Sequence, residues 1–386
     1  MAAKQSLSAM GPATATWLPG LDVVRAAAIV LVVFAHGRVL LPRGTALDQP
    51  WLAPAHWGIE LFFALSGYLI VSQLVAVLAG GSWHGLRVFC WKRFLRTMPV
   101  YWIMLALLSL MLPAEIRFQV WLREALFLRT FPVLSNGVDP LLAVNWSLAV
   151  EEMSYVLLAL LTAALLRYRH LWRGVGLSER AVLTGLMLLL IGIGLASRAW
   201  AVNQGFSLDQ LKFSAVLHVD ALAYGGLARL WAGGQSARPG AMAGTPWLLG
   251  VALLPITAWI GFVVRAPYLL EGQRSTDLLT HSCMAYGISR IVAAGLVLAV
   301  AAVPPAAFTK NRLWVSLIST TAAASYSTYL LHQVLVLQWA RQLKNQAPGL
   351  SGELFMLYLL LSLALGYLSY QVLERPWIKL RQRLTV

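Results

Sequence analysis

The chain has 386 residues, 59% of them hydrophobic and only 12% Asp, Glu, Lys or Arg, with a mean hydropathy of +0.70. So few charges cannot cover the surface of a soluble protein of this length, which excludes a cytosolic enzyme, a disordered regulator and a secreted disulfide scaffold. The net charge of +15 would suit nucleic acid, but the basic residues lie in short loops between apolar runs. The expected partner is therefore the lipid bilayer, with no nucleic acid.

A bilayer core needs about 20 apolar residues per helix. In chain order the runs predict ten transmembrane helices, at roughly 19–41, 57–79, 97–113, 145–166, 181–201, 214–232, 245–265, 283–303, 314–340 and 352–373. The first is too long for a cleaved signal peptide and carries Asp22, Arg25 and His36. The expected fold is an all-α polytopic membrane bundle in one domain, residues 1–386, with short tails at 1–18 and 374–386. Lys and Arg favour the N-terminus, the even-numbered loops and the C-terminus by 17 to 11, which places both termini in the cytoplasm. Two cysteines, Cys90 and Cys283, are too few for a disulfide framework.

A charge at mid-membrane costs about 2.5–3.5 kcal/mol, so each one inside a run needs a partner or a task. These are Asp22, Arg25, Glu60, Glu151, Glu152, Asp220 and Arg290, with His36, His218 and His332 as neutral titratable groups. Arg25 and His36 are eleven residues apart, three helical turns, and so share one stripe about 16 Å long. On the expected orientation Arg25 lies in the cytoplasmic half, beside the basic stretch Lys92, Arg93 and Arg96. His36, Glu60, Glu151, Glu152, Asp220 and Arg290 fall in the outer half. The plain alternative is that such groups pair to lock helices together. Ser66, beside Gly67, reads first as a small residue permitting close packing and second as a nucleophile.

The stretch LDVVRAAAIVLVVFAHG (21–37) resembles the opening of the acyltransferase-3 family of bacterial integral-membrane acyltransferases. GIELFFALSGYLI (58–70), WKRFLRTMPVYW (91–102), NWSLAVEEMSYVLL (145–158), HVDALAYGGLAR (218–229), SYSTYLLH (325–332) and LERPW (373–377) follow in the family's order. The resemblance implies about ten helices in a bacterial cytoplasmic (inner) membrane. It also implies transfer of an acyl group, usually acetyl, from cytoplasmic acyl-CoA to a hydroxyl of a surface glycan, exopolysaccharide or lipid-linked sugar. Acetyl-CoA would be the donor, and no metal is implied.

Acyl transfer to a hydroxyl needs a base, a docked thioester and oxyanion stabilisation. His36 is the expected base, because neutral imidazole can take and return a proton near working pH. Glu151 is the expected orienting carboxylate, at the same expected depth. Glu152, about 100° further round the helix, is a supporting group. Arg25, Lys92, Arg93 and Arg96 would hold the donor phosphates. His332, Asp220, Arg290, Glu152 and Ser66 are candidates for the acceptor side, although Asp220 and Arg290 could equally pair with each other. The competing reading is a proton-coupled transporter. Against it, the sequence shows no inverted repeat and no paired broken helices.

Overall fold

The computed structural model describes residues 19–42, 55–110, 112–131, 145–234, 275–303 and 311–384, and every regular element among them is helical. The α-helices are α1 (Pro19–Gly37), α2 (Ala55–Gly80), α3 (Trp83–Ser109), α4 (Ala114–Ala125), α5 (Asn145–Arg167), α6 (Arg169–Gly174) and α7 (Glu179–Asn203). There follow α8 (Leu208–Phe213), α9 (Ala223–Gly234), α10 (Ser275–Ala302), α11 (Arg312–Leu331), α12 (Gln338–Gln346), α13 (Ser351–Ser369) and α14 (Arg375–Gln382). Among the described residues, five stretches are long and apolar enough to cross a bilayer: Pro19–Leu40, Gly58–Gly80, Asn145–Arg167, Glu179–Asn203 and Ser351–Gln382. Each coincides with an expected run. The run at 245–265 lies outside the described residues.

Several expectations are corrected. The run at 97–113 is the second half of α3, which starts at Trp83, so the basic stretch at 92–96 is helical and not a loop. Ser82 opens that helix by accepting from the Gly85 amide. The run at 214–232 is not one helix. A 3-10 turn at Ala215–His218 separates α8 from α9. Side chains take the carbonyls that a continuous helix would use: His218 Nε2 donates to Leu211 O at 3.0 Å, and Arg198 donates to Leu217 O at 2.8 Å. The C-terminal residues expected as a tail continue from α13 through a π-helical turn, Tyr370–Glu374, into α14, which packs on α3. The amphipathic α4 went unanticipated, since apolar-run counting finds no span there. Tyr101 donates to Glu124 O at 2.8 Å, and Asn145 donates to the Glu124 carboxylate at 3.1 Å, fixing it to α3 and α5.

Helix α1 packs on α2 and α11, α11 on α13, α2 on α9 and α10, and α3 on α5. Ile29, Val32 and Val33 meet Phe63, Ile70 and Tyr358 in one buried cluster. Between helices in lipid there is little hydrophobic drive, so small residues that allow close contact matter. A methyl at Gly67 would land on the Leu222 carbonyl, and one at Gly225 on the Ala64 carbonyl. This contact seats α2 against the start of α9.

Candidate active site

Helices α1, α2, α3, α5 and α11 enclose a cavity of about 630 Å³, its open mouth included. Its polar lining is Arg25, Ser66, Arg96, Thr97, Ser147, Glu151, Ser325, Tyr326 and Tyr329. Ile59, Phe62, Phe63, Leu65 and Leu148 supply the apolar wall. Ser66 Oγ donates to Glu151 Oε1 at 2.5 Å, and the Tyr155 hydroxyl donates to the same oxygen. Tyr155 is one turn beyond Glu151, so a single helix face carries both. The Tyr329 hydroxyl and Ser147 Oγ hydrogen-bond across α11 and α5. The Arg25 and Arg96 guanidiniums face this cavity with no hydrogen-bond or ion-pair partner among the described residues.

The four expected phosphate-binding cations are thus not equivalent. Arg93 is buried, its guanidinium 5.6 Å from the Tyr155 ring centre and 5.7 Å from that of Phe89. Lys92 is half-buried and does not line the cavity. Glu152 is buried beside the cavity, accepting from Thr97 Oγ1 at 2.6 Å. Its place is structural, between α3 and α5, and not on the lining.

His36 lies at the far end of α1 from Arg25, half-buried. The expectation that Glu151 orients it is corrected: Glu151 bonds Ser66 and Tyr155 and lines one cavity with Arg25, whereas His36 Nδ1 lies 2.9 Å from Val32 O. The side chain that meets His36 is His332, Nε2 to Nδ1 at 3.4 Å, with ring centres 5.0 Å apart. His332 is fully buried and opens a π-helical turn, His332–Leu337. Such turns inside α-helices frequently mark functional sites. Neither histidine lines the cavity; Tyr329, whose ring centre is 5.7 Å from that of His332, does.

Segments remote in sequence therefore converge on the end of α11. Ser325 and Tyr326 line the cavity, Ser327 donates to Glu374 at 2.8 Å, Tyr329 meets Ser147, and His332 meets His36. The model of the acyltransferase domain of the acyltransferase-3 family matches residues 18–371. The chain belongs to the acyltransferase-3 family.

Two relatives of this acyltransferase-3 protein are the O-acetyltransferase OatA of Staphylococcus aureus strain NCTC 8325 / PS 47 and that of strain COL. Each is 29% identical over 165 residues, covering 39% of this chain and 25% of the relative. The match thus spans about a quarter of the length of those relatives. No solved structure matches the chain significantly.

Asp220 and Arg290, expected on the acceptor side, instead pair with each other, the alternative left open by the sequence. Arg290 donates to Asp220 Oδ1 at 2.6 Å, to Glu60 Oε2 at 3.1 Å and to His218 Nδ1 at 2.8 Å. Arg198 grips Asp220 with two bonds of 2.8 and 2.9 Å. Arg198, Arg290, Asp220 and Glu60 are all almost fully buried, so two cations and two carboxylates neutralise one another inside the bundle. None of them lines the cavity. Arg198 lies within the run at 181–201 but is not among the charges the sequence singles out there. The excess of carboxylates over arginines inside the runs was the signal that a further buried cation was required. Tyr329, Tyr326 and Ser147 were also missed as cavity groups, because hydroxyls carry no charge to mark them.

Proposed function

We propose that this protein is a membrane O-acyltransferase of a bacterial cytoplasmic membrane. It moves an acyl group, acetyl foremost, from acyl-CoA to a hydroxyl of a surface glycan, exopolysaccharide or lipid-linked sugar. The observation that carries this reading is the pair of guanidiniums, Arg25 of α1 and Arg96 of α3, lining one cavity within the bundle without a hydrogen bond to a protein group among the described residues, while the other end of α1 bears His36. Asp22, Glu151 and Glu374 act on Arg25 only through space; cations among membrane helices are costly, and an anionic ligand would give both guanidiniums a direct partner. Guanidinium forks suit phosphate oxygens.

The span of about 16 Å from Arg25 to His36 calls for an elongated donor. In this reading its phosphates lie at Arg25 and Arg96, its arm passes the Ser66–Glu151 wall, and its thioester reaches past Tyr329 toward the histidines. The Glu151 carboxylate, held by two hydroxyls, presents its second oxygen to the arm as an acceptor. The acceptor hydroxyl attacks the thioester carbon, the new C–O bond forms, and the C–S bond breaks. His36 takes the hydroxyl proton and returns it to the departing thiolate. The activity named for the Staphylococcus aureus relatives supports acetyl as the group moved.

The test is transfer of labelled acetyl from acetyl-CoA to a carbohydrate fraction by purified protein in liposomes, with mass spectrometry of the products. A gain of one acetyl unit that folded His36→Ala protein cannot produce is the expected result. Unchanged turnover in that variant, or substrate flux without any need for CoA, contradicts the reading.

A further inference from the structure

The reading of His36 as the base leaves open what orients it, since no carboxylate contacts its ring among the described residues. We propose that His332 is the positioning partner of His36, holding it as the tautomer whose Nε2 lone pair is free to accept a proton. This rests on the proposed function above.

Carbonyl oxygens only accept hydrogen bonds, so they reveal where the ring protons sit. His332 Nδ1 lies 2.7 Å from Tyr329 O, so Nδ1 carries its proton and Nε2 keeps a lone pair. His36 Nδ1 lies 2.9 Å from Val32 O, one turn back on its own helix, so it too is the protonated nitrogen. The His332 Nε2 lone pair, 3.4 Å away, accepts from that same His36 Nδ1–H. The N–H is thus shared between a carbonyl and an imidazole on another helix, which fixes the ring about both its torsions. His36 Nε2 has no partner among the described residues and faces away from both acceptors.

When Nε2 takes the proton of the attacking hydroxyl, positive charge spreads to Nδ1–H, and both acceptors strengthen their hold. Serine hydrolases use a carboxylate in this position. A neutral imidazole performs the same orientation without a buried charge among membrane helices, where charge is costly. A π-helical turn begins at His332. The His332 ring reaches back to the Tyr329 carbonyl of α11 while the chain continues through the turn to α12.

Purified His332→Ala and His332→Gln proteins, assayed in liposomes with acetyl-CoA and acceptor, test the proposal. Gln can place its carbonyl oxygen where Nε2 stands. The expectation is a kcat about 100-fold lower for the Ala variant, donor KM within about threefold of wild type, and recovery of about tenfold or more in the Gln variant. Equal kcat in Ala and wild-type protein, or loss appearing only in KM, overturns it. So does Gln behaving no better than Ala while both melt at the wild-type temperature. Solid-state NMR of 15N-histidine-labelled wild-type protein gives a readout independent of the variants: His36 protonated at Nδ1 supports the proposal, and protonation at Nε2 overturns it. If the wild-type protein turns over no acyl-CoA at all, the functional reading fails, while the tautomer result still decides the His36–His332 relationship.

Discussion

Ser66 Oγ donates a 2.5 Å hydrogen bond to Glu151 Oε1, joining α2 to α5 at the wall of the cavity. The motif that carries Ser66 divides its labour between neighbours. Gly67 meets the Leu222 carbonyl and makes the close helix contact, whereas Ser66 turns into the cavity. With its proton committed to Glu151, and Tyr155 on the same oxygen, Ser66 holds the carboxylate and is not required to carry the acyl group. Ser66→Ala is expected to raise the donor KM and to leave transfer measurable. No acylated Ser66 peptide should appear in mass spectra of enzyme quenched during turnover. A covalent acyl-Ser66 would contradict this.

Asp220 receives three hydrogen bonds from Arg198 and Arg290. Removing one partner of a buried charge set costs about 3–5 kcal/mol. Asp220→Asn should therefore lower the melting temperature in detergent strongly, while turnover per folded molecule stays near wild type. Normal stability with lost turnover would show that the cluster belongs to the reaction.

Glycine substitutions should divide by position. Gly67→Ala and Gly225→Ala force a methyl onto a backbone carbonyl and should abolish monodisperse protein in size-exclusion chromatography. Gly80→Ala meets nothing within 4 Å and should behave as wild type. Similar yields from all three would show that α2 and α9 do not approach as described.

The basic stretch of α3 should divide as well. Lys92→Ala leaves the cavity lining intact and is expected to keep the donor KM within about twofold of wild type. Arg93→Ala removes a buried guanidinium stacked by Phe89 and Tyr155 and should reduce stability. Stacked cations contribute about 0.5–2 kcal/mol. A large rise in donor KM for Lys92→Ala would return Lys92 to the phosphate site.

Much of this architecture is legible in the amino-acid sequence, for physical reasons that also explain what is not. A bilayer demands long apolar helices, so α1, α2, α5, α7 and α13 follow from composition alone. Charges among those helices point to the ion cluster and to Arg25, because each needs a partner or a ligand. The break between α8 and α9 is not readable from apolar periodicity, since it depends on side chains of Arg198 and His218 reaching backbone carbonyls. Expected depth placed Glu151 beside His36. The structure sets it beside Ser66 in the cavity with Arg25, because α2 and α5 cross so that Ser66 meets Glu151. The pairing of His36 with His332 links positions 296 apart, at the start of a π-helical turn that no local pattern announces.

The proposed acyl-CoA donor sits in the cavity with its phosphates at Arg25 and Arg96. Equilibrium binding of labelled CoA to purified wild-type protein and to the Arg25→Ala, Arg96→Ala double variant tests this most directly. Saturable binding that weakens at least about tenfold in the variant, or ~1.4 kcal/mol, is the predicted result. Equal binding by a folded variant, or no binding by the wild-type protein, would contradict it.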